Sequence, residues 1–509
     1  MSSLEPTTVV KGDSDNTGPQ TTLAFTLGVF LVSWLAQLIV YAPMFKVLPA
    51  GDDFPVLADI QRGNDQGPIA IIRESNSALN YRPIRGLGLW AFANISPLNR
   101  IFWIHALHFI GATLMSVAGL LWMRTLPLGR AGVVTASIVT VLHPGLVAAI
   151  CSLDGVDSTI STGLLWMGVW SIYRFREKPL VCATVAFVFF ALGGVTKEYI
   201  FALVPLGAWT LFYFSSHARL LRMTVVVSSM MICFVLLMVV RNVTIPPTAN
   251  RGADYLSFDP GQWASNLASF GVGLLLPGNT VWIFLNRFSP LLLASIPMIA
   301  ALCLVVFGGV WKFWEINGER HRWIIYLLTS IGLAMFPMIV MFHISEMYLP
   351  PLVIPFALLC GIAADGWRHY SFPAQIAVGV ISFALLGNSI WAIEDKIAGM
   401  RRVGDRTDLQ MENVLAVLPP DARDVKIAIA YNTFGMKANR RYSVFAMGDE
   451  IMLVHPNVLD WKAPGRGLKI ETFPNSMTPP AADAKFDYYV FWDHRNNRMI
   501  MSRRQDLWQ

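Results

Sequence analysis

The chain has 509 residues, of which 54% are apolar and 14% are charged, and its formal net charge is +6. Soluble globular proteins usually carry about 25% charged residues, so this composition excludes an ordinary soluble domain and indicates a protein of the lipid bilayer. The basic residues are scattered singly in short links between apolar runs, a pattern that orients membrane helices and does not indicate a nucleic-acid partner. The five cysteines lack CxxC spacing, which argues against a metal site or a disulfide framework.

The apolar runs predict an all-α polytopic membrane protein. Residues 1–20 are polar and are expected to be disordered. The first apolar run has no small-residue cleavage site, so it predicts an uncleaved helix rather than a signal peptide. Runs long enough to cross a bilayer recur at 22–44, 101–123, 131–150, 158–174, 179–195, 199–215, 223–240, 289–311, 323–343, 347–364 and 374–393.

Charge asymmetry favours eleven spans with a cytoplasmic N-terminus. The links that then face the cytoplasm are short and basic, as the positive-inside rule requires. The large outer loops are 47–100 and 241–288. One further run, 265–286, is interrupted at Gly271 and Pro277. Counting it as a span would place the later basic links outside, so we expect a re-entrant or surface-lying helix there.

Residues 395–509 differ in composition from the rest of the chain. They open with a charged stretch of helical character and continue with two strand-like runs, Val425–Ala430 and Tyr488–Trp492, among Pro and Gly turns. The pattern predicts a small C-terminal α/β domain on the extracytoplasmic face, after a transmembrane domain over residues 21–394.

Ionisable and aromatic residues gather on the predicted outer side, although they come from five separate parts of the chain. Such groups near a bilayer face are costly and are candidates for function. Each one alone could be a helix cap, an interfacial residue or a surface ion pair, but together they predict an active-site cavity. They are Asp52, Asp53, Tyr81, Arg82, His143, Asp154, Asp157, Lys197, Glu198, His343, Glu346 and Tyr348.

Five short segments follow one another in a characteristic order over about residues 22–364. They are Asp52-Asp53, Tyr81-Arg82-Pro83, His143-Pro144 followed by Asp154 and Asp157, Thr196-Lys197-Glu198, and Glu346 to Pro350. This ordered set resembles the GT-C superfamily of membrane glycosyltransferases, which use sugars carried on polyprenyl phosphates. The closest likeness is to the branch that contains the protein O-mannosyltransferases and their bacterial relatives. The chain departs from that pattern at Met347, where a basic residue often follows the glutamate.

The resemblance implies an integral-membrane glycosyltransferase that moves a sugar from a polyprenyl-phosphate carrier to a glycan, lipid or protein acceptor on the extracytoplasmic face. Asp52 or Asp53 would act as the base. The donor phosphate would be bound by Arg82 and Lys197 together with Tyr81 and Glu198, and Arg241, Arg251 or Arg287 of the second large outer loop could add to them. His143, Asp154, Asp157, His343, Glu346 and Tyr348 would support the site. A phosphate-binding cation can replace a metal, although a divalent ion (Mg²⁺ or Mn²⁺) could also be held by Asp52, Asp53, Asp154 and Glu198.

Other functions remain open at the level of sequence. A transporter or flippase for lipid-linked glycans usually shows an internal repeat, and none is visible here. A non-catalytic scaffold with a partner-binding tail would not need the acidic pair, whereas a ligase for whole lipid-linked glycans would use the same leaving group. A bacterial inner membrane is the expected location. The acceptor patterns at Asn94-Ile95-Ser96 and Asn242-Val243-Thr244 keep the endoplasmic reticulum as the alternative.

Overall fold

The computed structural model describes residues 21–50, 53–74, 82–215, 218–244, 257–280, 292–316, 321–341, 345–430, 458–473, 485–493 and 498–502. Within these ranges the chain is mainly helical. The α-helices are α1 (Leu23–Tyr41), α2 (Asp53–Gln66), α3 (Pro68–Glu74), α4 (Pro83–Ala93), α5 (Arg100–Met123), α6 (Arg130–Leu142), α7 (Val147–Cys151), α8 (Val156–Arg174), α9 (Pro179–Gly194), α10 (Leu203–Phe214), α11 (Arg219–Thr244), α12 (Pro260–Leu275), α13 (Leu292–Ile316), α14 (His321–Ile339), α15 (Pro350–Trp367) and α16 (Phe372–Val417).

In the described part of the chain, eight segments are long and apolar enough to cross a membrane. They are Leu23–Lys46, Arg100–Met123, Arg130–Cys151, Arg219–Thr244, Ser295–Ile316, His321–Ile339, Pro350–Trp367 and Phe372–Val417. The prediction of an all-α polytopic membrane protein is confirmed. Pro179–Gly194 and Glu198–Phe214 are apolar but shorter, so the count of eleven spans stays a prediction. Helix α12 ends at Leu275 after 16 residues, where the sequence predicts a break.

Helix α15 lies in the centre of the bundle and packs against α6, α13 and α14. Close approach of α15 to α6 depends on glycine, since a Cβ on Gly361 would lie 2.7 Å from the Gly132 carbonyl oxygen. The buried carboxylate of Asp365 accepts from the backbone N–H groups of Gly129 at 2.5 Å and Gly132 at 3.0 Å. This acidic residue therefore caps the first turn of α6, which accounts for a charge inside the bundle without a catalytic role.

Helix α16 has 46 residues and is about 69 Å long at 1.5 Å per residue. It continues from the membrane-spanning part into the C-terminal region, and the predicted boundary between residues 394 and 395 falls inside it. The sheet beyond it has the strand order β2-β1-β3-β4. The strands are β1 (Lys426–Ala430), β2 (Lys469–Phe473), β3 (Tyr488–Asp493) and β4 (Arg498–Ser502), with β1 parallel to both β2 and β3, and β4 antiparallel to β3.

The C-terminal sheet and the first outer loop share one hydrophobic core. Buried side chains of α2 and α4 meet those of the end of α16 and of β1, β2 and β3. Leu153 and Val156, which flank Asp154, belong to the same core. The sheet therefore supports the turn that carries a candidate site residue, although it lies far from that residue in sequence.

Candidate active site

Three of the five predicted segments contribute residues to one charged site at the same end of the helices. The charged cluster, as we call it, consists of Arg82, Arg85, Asp154, Asp157, Lys197 and Glu198. Arg82 and Arg85 come from the start of α4, Asp154 and Asp157 from the turn into α8, and Lys197 and Glu198 from the turn after α9. Glu346 and Tyr348 belong to a 3-10 turn that precedes α15 and lies beside this cluster.

Asp157 is the centre of the charged cluster, and its side chain is fully buried. Arg82 Nη1 lies 2.8 Å from Asp157 Oδ2, and Lys197 Nζ lies 3.0 Å from Oδ1. Arg85 Nη1 lies 3.8 Å from Oδ2. Asp157 stands in the first turn of α8, where the helix dipole also favours a negative charge. Three cations around one buried carboxylate require further negative charge close by.

Two further carboxylates, which are more exposed than Asp157, supply that negative charge. Arg82 Nη2 donates to Glu198 Oε2 at 2.7 Å, and Arg85 Nη1 pairs with Asp154 Oδ1. The side chains of Asp154 and Glu198 are 23% and 41% exposed, whereas those of Arg82 and Arg85 are 10% and 4% exposed. The cations thus lie behind the carboxylates. An anionic group that enters the site can reach Arg82 by displacing Glu198, the most exposed member.

Arg85 was missed by the sequence analysis. Its signal is the spacing from Arg82, because residues three apart lie on the same face of a helix. Proline at the first position of α4 fixes the start of that helix and so fixes the shared face.

Aromatic rings border the buried ammonium of Lys197. Its Nζ donates to Ser158 Oγ at 2.7 Å and lies 5.1 Å from the ring centroid of Tyr199 and 5.8 Å from that of Tyr348. The two rings meet edge to face at 5.7 Å, and Tyr199 OH donates to the Met347 carbonyl at 2.5 Å. Burial lowers the pKa of Lys197, and the nearby Asp157 carboxylate opposes that shift. Tyr199, which the sequence analysis did not single out, ties the Lys197 turn to the Tyr348 turn.

Asp53 opens α2, and its carboxylate accepts three hydrogen bonds. Oδ1 accepts from Ser152 Oγ at 3.0 Å and from the Asp154 backbone N–H at 3.2 Å, and Oδ2 accepts from the Ala50 N–H at 3.1 Å. The residue is 4% exposed, and burial raises its pKa to about 7 in spite of these bonds. A carboxyl group that titrates near neutral pH is suited to proton transfer. In this conformation it also holds the turn that carries Asp154.

A second buried ion pair lies at the junction of three loops. Lys396 Nζ donates to Glu346 Oε1 at 2.7 Å, to Thr280 Oγ1 at 2.8 Å and to the Pro144 carbonyl at 3.0 Å. His143 adds to this junction, since its Nε2 lies 3.0 Å from the Leu274 carbonyl and its Nδ1 accepts from the Gly145 N–H at 3.1 Å. Both ring nitrogens of His143 are thus occupied by backbone groups, which indicates a structural role.

The other predicted site residues are not joined to the charged cluster by these contacts. Arg241, half-buried in the last turn of α11, is not among the contacts of Arg82, Asp157 and Lys197 described above. Five lie outside the described residues: Asp52, Tyr81, Arg251, Arg287 and His343.

No group of three His, Cys, Asp or Glu side chains is arranged as a metal site within the described ranges. Of the four carboxylates considered for a divalent ion, Asp154 and Glu198 each bind an arginine, Asp53 is held by backbone and hydroxyl donors, and Asp52 is not described.

An apolar cavity of about 520 Å³ lies among α6, α12, α13, α15 and α16. At one end its walls include His143 and Pro144, and at the other Trp367 and Arg368. On α16 the lining residues extend from Gln375 to Ser389, which is roughly 21 Å along the helix axis at 1.5 Å per residue. This extent along α16 is about two-thirds of the thickness of a hydrocarbon layer, which is about 30 Å.

Comparison with known proteins gives distant structural likenesses. No protein-family model matches the sequence, and no curated protein matches it. The structure is similar to that of ArnT from Cupriavidus metallidurans in the apo state, with a TM-score of 0.47 and 10% identity over 92% of this chain and 92% of that chain. It is also similar to ArnT from Cupriavidus metallidurans bound to undecaprenyl phosphate, with a TM-score of 0.43 and 13% identity over 80% of this chain and 82% of that chain. Neither likeness assigns a function to this chain.

Proposed function

We propose that this protein is an integral-membrane glycosyltransferase that uses a sugar carried on a polyprenyl phosphate and acts at the extracytoplasmic face of a bacterial inner membrane. The observation that carries the proposal is the adjacency of the charged cluster and a long apolar cavity. Pro144 lines that cavity and binds Lys396, which also binds Glu346. Tyr348, two residues beyond Glu346, lies against the ring of Tyr199 beside Lys197.

The cations of the site suit the leaving group of this reaction. As the acceptor attacks the anomeric carbon, the bond from that carbon to the phosphate oxygen breaks, and the lipid phosphate departs with the electron pair. Arg82 presents two N–H groups in a planar fork that matches phosphate, and Lys197 adds a second positive charge. If the donor phosphate displaced Glu198, one anionic partner would replace another, so Arg82 would keep the same number of anionic partners. Tyr81, Arg241 and Arg287 complete the proposed phosphate contacts.

Asp53, with Asp52 beside it in sequence, is the proposed base. The acceptor hydroxyl or amine must lose a proton as it attacks, and a carboxyl group with a pKa of about 7 can take that proton at neutral pH. Asp154 and Asp157 would hold Arg85, Arg82 and Lys197 in place. With one base and one transfer step, the configuration at the anomeric carbon would be inverted.

The apolar cavity supports a lipid-linked donor over a soluble nucleotide sugar. A cavity that follows the helices for roughly 21 Å and is lined mostly by apolar side chains would leave nucleotide phosphates and sugar hydroxyls without partners. A hydrocarbon chain fits such walls, and its head group would emerge at the His143 end.

The experiment that tests this proposal uses purified full-length protein in lipid nanodiscs with a panel of polyprenyl-phosphate sugars and a cell-envelope extract of the deletion strain as the source of acceptor. Release of polyprenyl phosphate is measured for the wild type, for Asp53→Asn and for Arg82→Gln, with Asp405→Asn as control because Asp405 is 56% exposed on α16. We expect release by the wild type and the control, and loss in the two site variants. Mass spectrometry of cell-envelope glycans from complemented deletion strains would then name the sugar and the acceptor. Equal release by wild type and Asp53→Asn would reject Asp53 as base, and no release with any donor would reject the glycosyltransferase.

A further inference from the structure

We propose that a cleft between α2 and the C-terminal domain binds a neutral carbohydrate unit. The cleft has a volume of about 240 Å³ and is separate from both the charged cluster and the apolar cavity. Residues of α2 form one side, Arg100 at the start of α5 forms another, and Trp461 from the 3-10 turn Val458–Trp461 closes it.

The walls combine an aromatic face with hydrogen-bonding groups. The half-buried Trp461 ring packs against the core that the sheet shares with α2 and offers a flat apolar wall. Gln61 and Gln66 supply amides, and Asp65 supplies a carboxylate. A pyranose has apolar C–H groups on its faces and hydroxyl groups around its rim, so it complements a wall of this kind. A purely apolar ligand would leave the polar groups without partners.

Among the residues that line the cleft, Arg100 has a buried donor without a partner in the described part of the chain. It occupies the first position of α5, where a positive charge is unfavourable with the helix dipole, and no acidic residue lies in that first turn. Its Nε atom is buried and has no hydrogen-bond partner among the described residues. A buried donor without a partner costs free energy that a ligand oxygen in the cleft would recover. The described residues leave this Nε without an acceptor, which points to a bound oxygen-rich group.

The charges of the cleft select for a neutral ligand. Arg62 is neutralised by Asp59, with Nη1 and Oδ1 3.0 Å apart. Among the described residues, Asp65 is bonded by the amide of Gln61 at 3.1 Å, and Arg100, which lines the same cleft, has no ion-pair partner. Because these two opposite charges cancel, the cleft offers no net attraction to either an anion or a cation. Hydroxyl groups donate to Asp65 and accept from Arg100, so they can satisfy both.

The position of the cleft suggests its role, a step that rests on the proposed function. Gln61 and Asp65 lie 8 and 12 residues beyond Asp53 on α2, roughly 12 and 18 Å along the helix axis. A sugar held there would be remote from the reacting atoms. The cleft would therefore hold a distal unit of an extended glycan acceptor while the terminal unit reaches the charged cluster.

Binding can be measured without turnover. Full-length protein in nanodiscs is applied to a printed panel of neutral, acidic and amino-substituted oligosaccharides of two to six units. The neutral oligosaccharide that gives the strongest signal is then titrated by calorimetry against the wild type, Arg100→Gln and Gln66→Ala. The control is Arg401→Gln, which makes the same chemical change at a side chain 50% exposed on α16. We expect binding of neutral oligosaccharides, about 10-fold weaker in Arg100→Gln, measurably weaker in Gln66→Ala, and unchanged in the control.

The outcomes separate this proposal from the glycosyltransferase itself. Absence of oligosaccharide binding, preference for acidic or amino sugars, or equal affinity in Arg100→Gln and Arg401→Gln would overturn the carbohydrate cleft, and polyprenyl phosphate release would be unaffected by that result. If the cleft binds as proposed, transfer to an extended acceptor should show a raised KM in Arg100→Gln, whereas transfer to a single-unit acceptor should not change. An equal effect on both acceptors would overturn the role in acceptor binding.

Discussion

Lys396 and Glu346 form a buried ion pair that joins the longest helix of the described chain to the turn carrying Tyr348. Their Nζ and Oε1 atoms are 2.7 Å apart, and both side chains are 3% exposed. The same ammonium binds Thr280 and the Pro144 carbonyl, so one side chain of α16 connects three loops that surround the end of the apolar cavity. A buried charge with all three of its donors used is costly to unpair.

The first prediction concerns this pair. Lys396→Met alone should leave the Glu346 carboxylate buried without its cation and lower the free energy of unfolding by about 3–5 kcal/mol, and Glu346→Met should act similarly on Lys396. The double variant removes both charges and should lose much less than the sum. Thermal unfolding of the four proteins in one detergent measures this coupling. Strictly additive losses would show that the two charges do not stabilise each other.

The second prediction concerns the pH dependence of activity. If Asp53 is the base, transfer requires its ionised form, so kcat/KM should rise with pH and reach half its maximum near pH 7. Asp53→Asn should lower the rate by about 100-fold or more and remove that limb of the profile. The measurement is donor-limited release of polyprenyl phosphate between pH 5 and 9. A wild-type profile without a limb near pH 7, or an unchanged limb in the variant, would exclude Asp53 as the titrating group.

Stability provides an independent readout of the same carboxyl group. The pKa of Asp53 is raised in the folded protein from 3.8 to about 7, so between these values the folded state binds more protons than the unfolded state. Stability should therefore decrease as pH rises through this window and level off above it. This part of the pH dependence should be absent in Asp53→Asn, which carries no titrating group at position 53.

The third prediction concerns the geometry of Arg82. Arg82→Lys keeps the positive charge, but a single ammonium cannot contact Asp157 and Glu198 in the way that the two Nη atoms do. We expect at least about a 10-fold loss in kcat/KM for the lipid donor with little change in unfolding temperature. Arg401→Lys, at an exposed position, is the matched control. Full activity in Arg82→Lys would show that charge alone is needed at this position.

Hydropathy and local motifs predict much of this structure, and the rest depends on distant contacts. The apolar runs indicate the membrane helices, and the two strand-like runs agree with β1 and β3 to within one residue. The sequence cannot reveal that α16 continues unbroken from its apolar part into its charged part, because hydropathy changes there while helical geometry does not. It also cannot reveal the shared core of α2 and the sheet, since apolar residues in either element are compatible with many partners.

The candidate site also combines residues that the sequence predicts with residues that it does not. Arg82, Asp157, Lys197 and Glu198 are predicted from the order of short motifs, and the structure brings them into contact. Lys396 reads in sequence as part of a charged, exposed stretch, although it is buried and bonded to Pro144, 252 residues away. Partners at such separations are set by the packing of whole helices, which residue spacing does not encode.

The last prediction concerns the lipid chain. Gly379 lines the apolar cavity on α16, and nothing lies within 4 Å of a Cβ added there, so Gly379→Phe should place a ring in the cavity without disturbing the helix. Gly387 is an exposed glycine of the same helix that also has open space around it and does not line the cavity, which makes Gly387→Phe the matched control. Both changes replace a helical glycine with the same residue, so they should alter helix stability to a similar extent.

We expect Gly379→Phe to raise the KM for a long-chain polyprenyl-phosphate donor by about 10-fold or more and to have little effect on a donor with a two-isoprene chain, because only the long chain needs the full depth of the cavity. Gly387→Phe should leave both values unchanged. Equal effects of Gly379→Phe on long and short donors, or equal effects of the two variants, would show that the donor chain does not occupy this cavity.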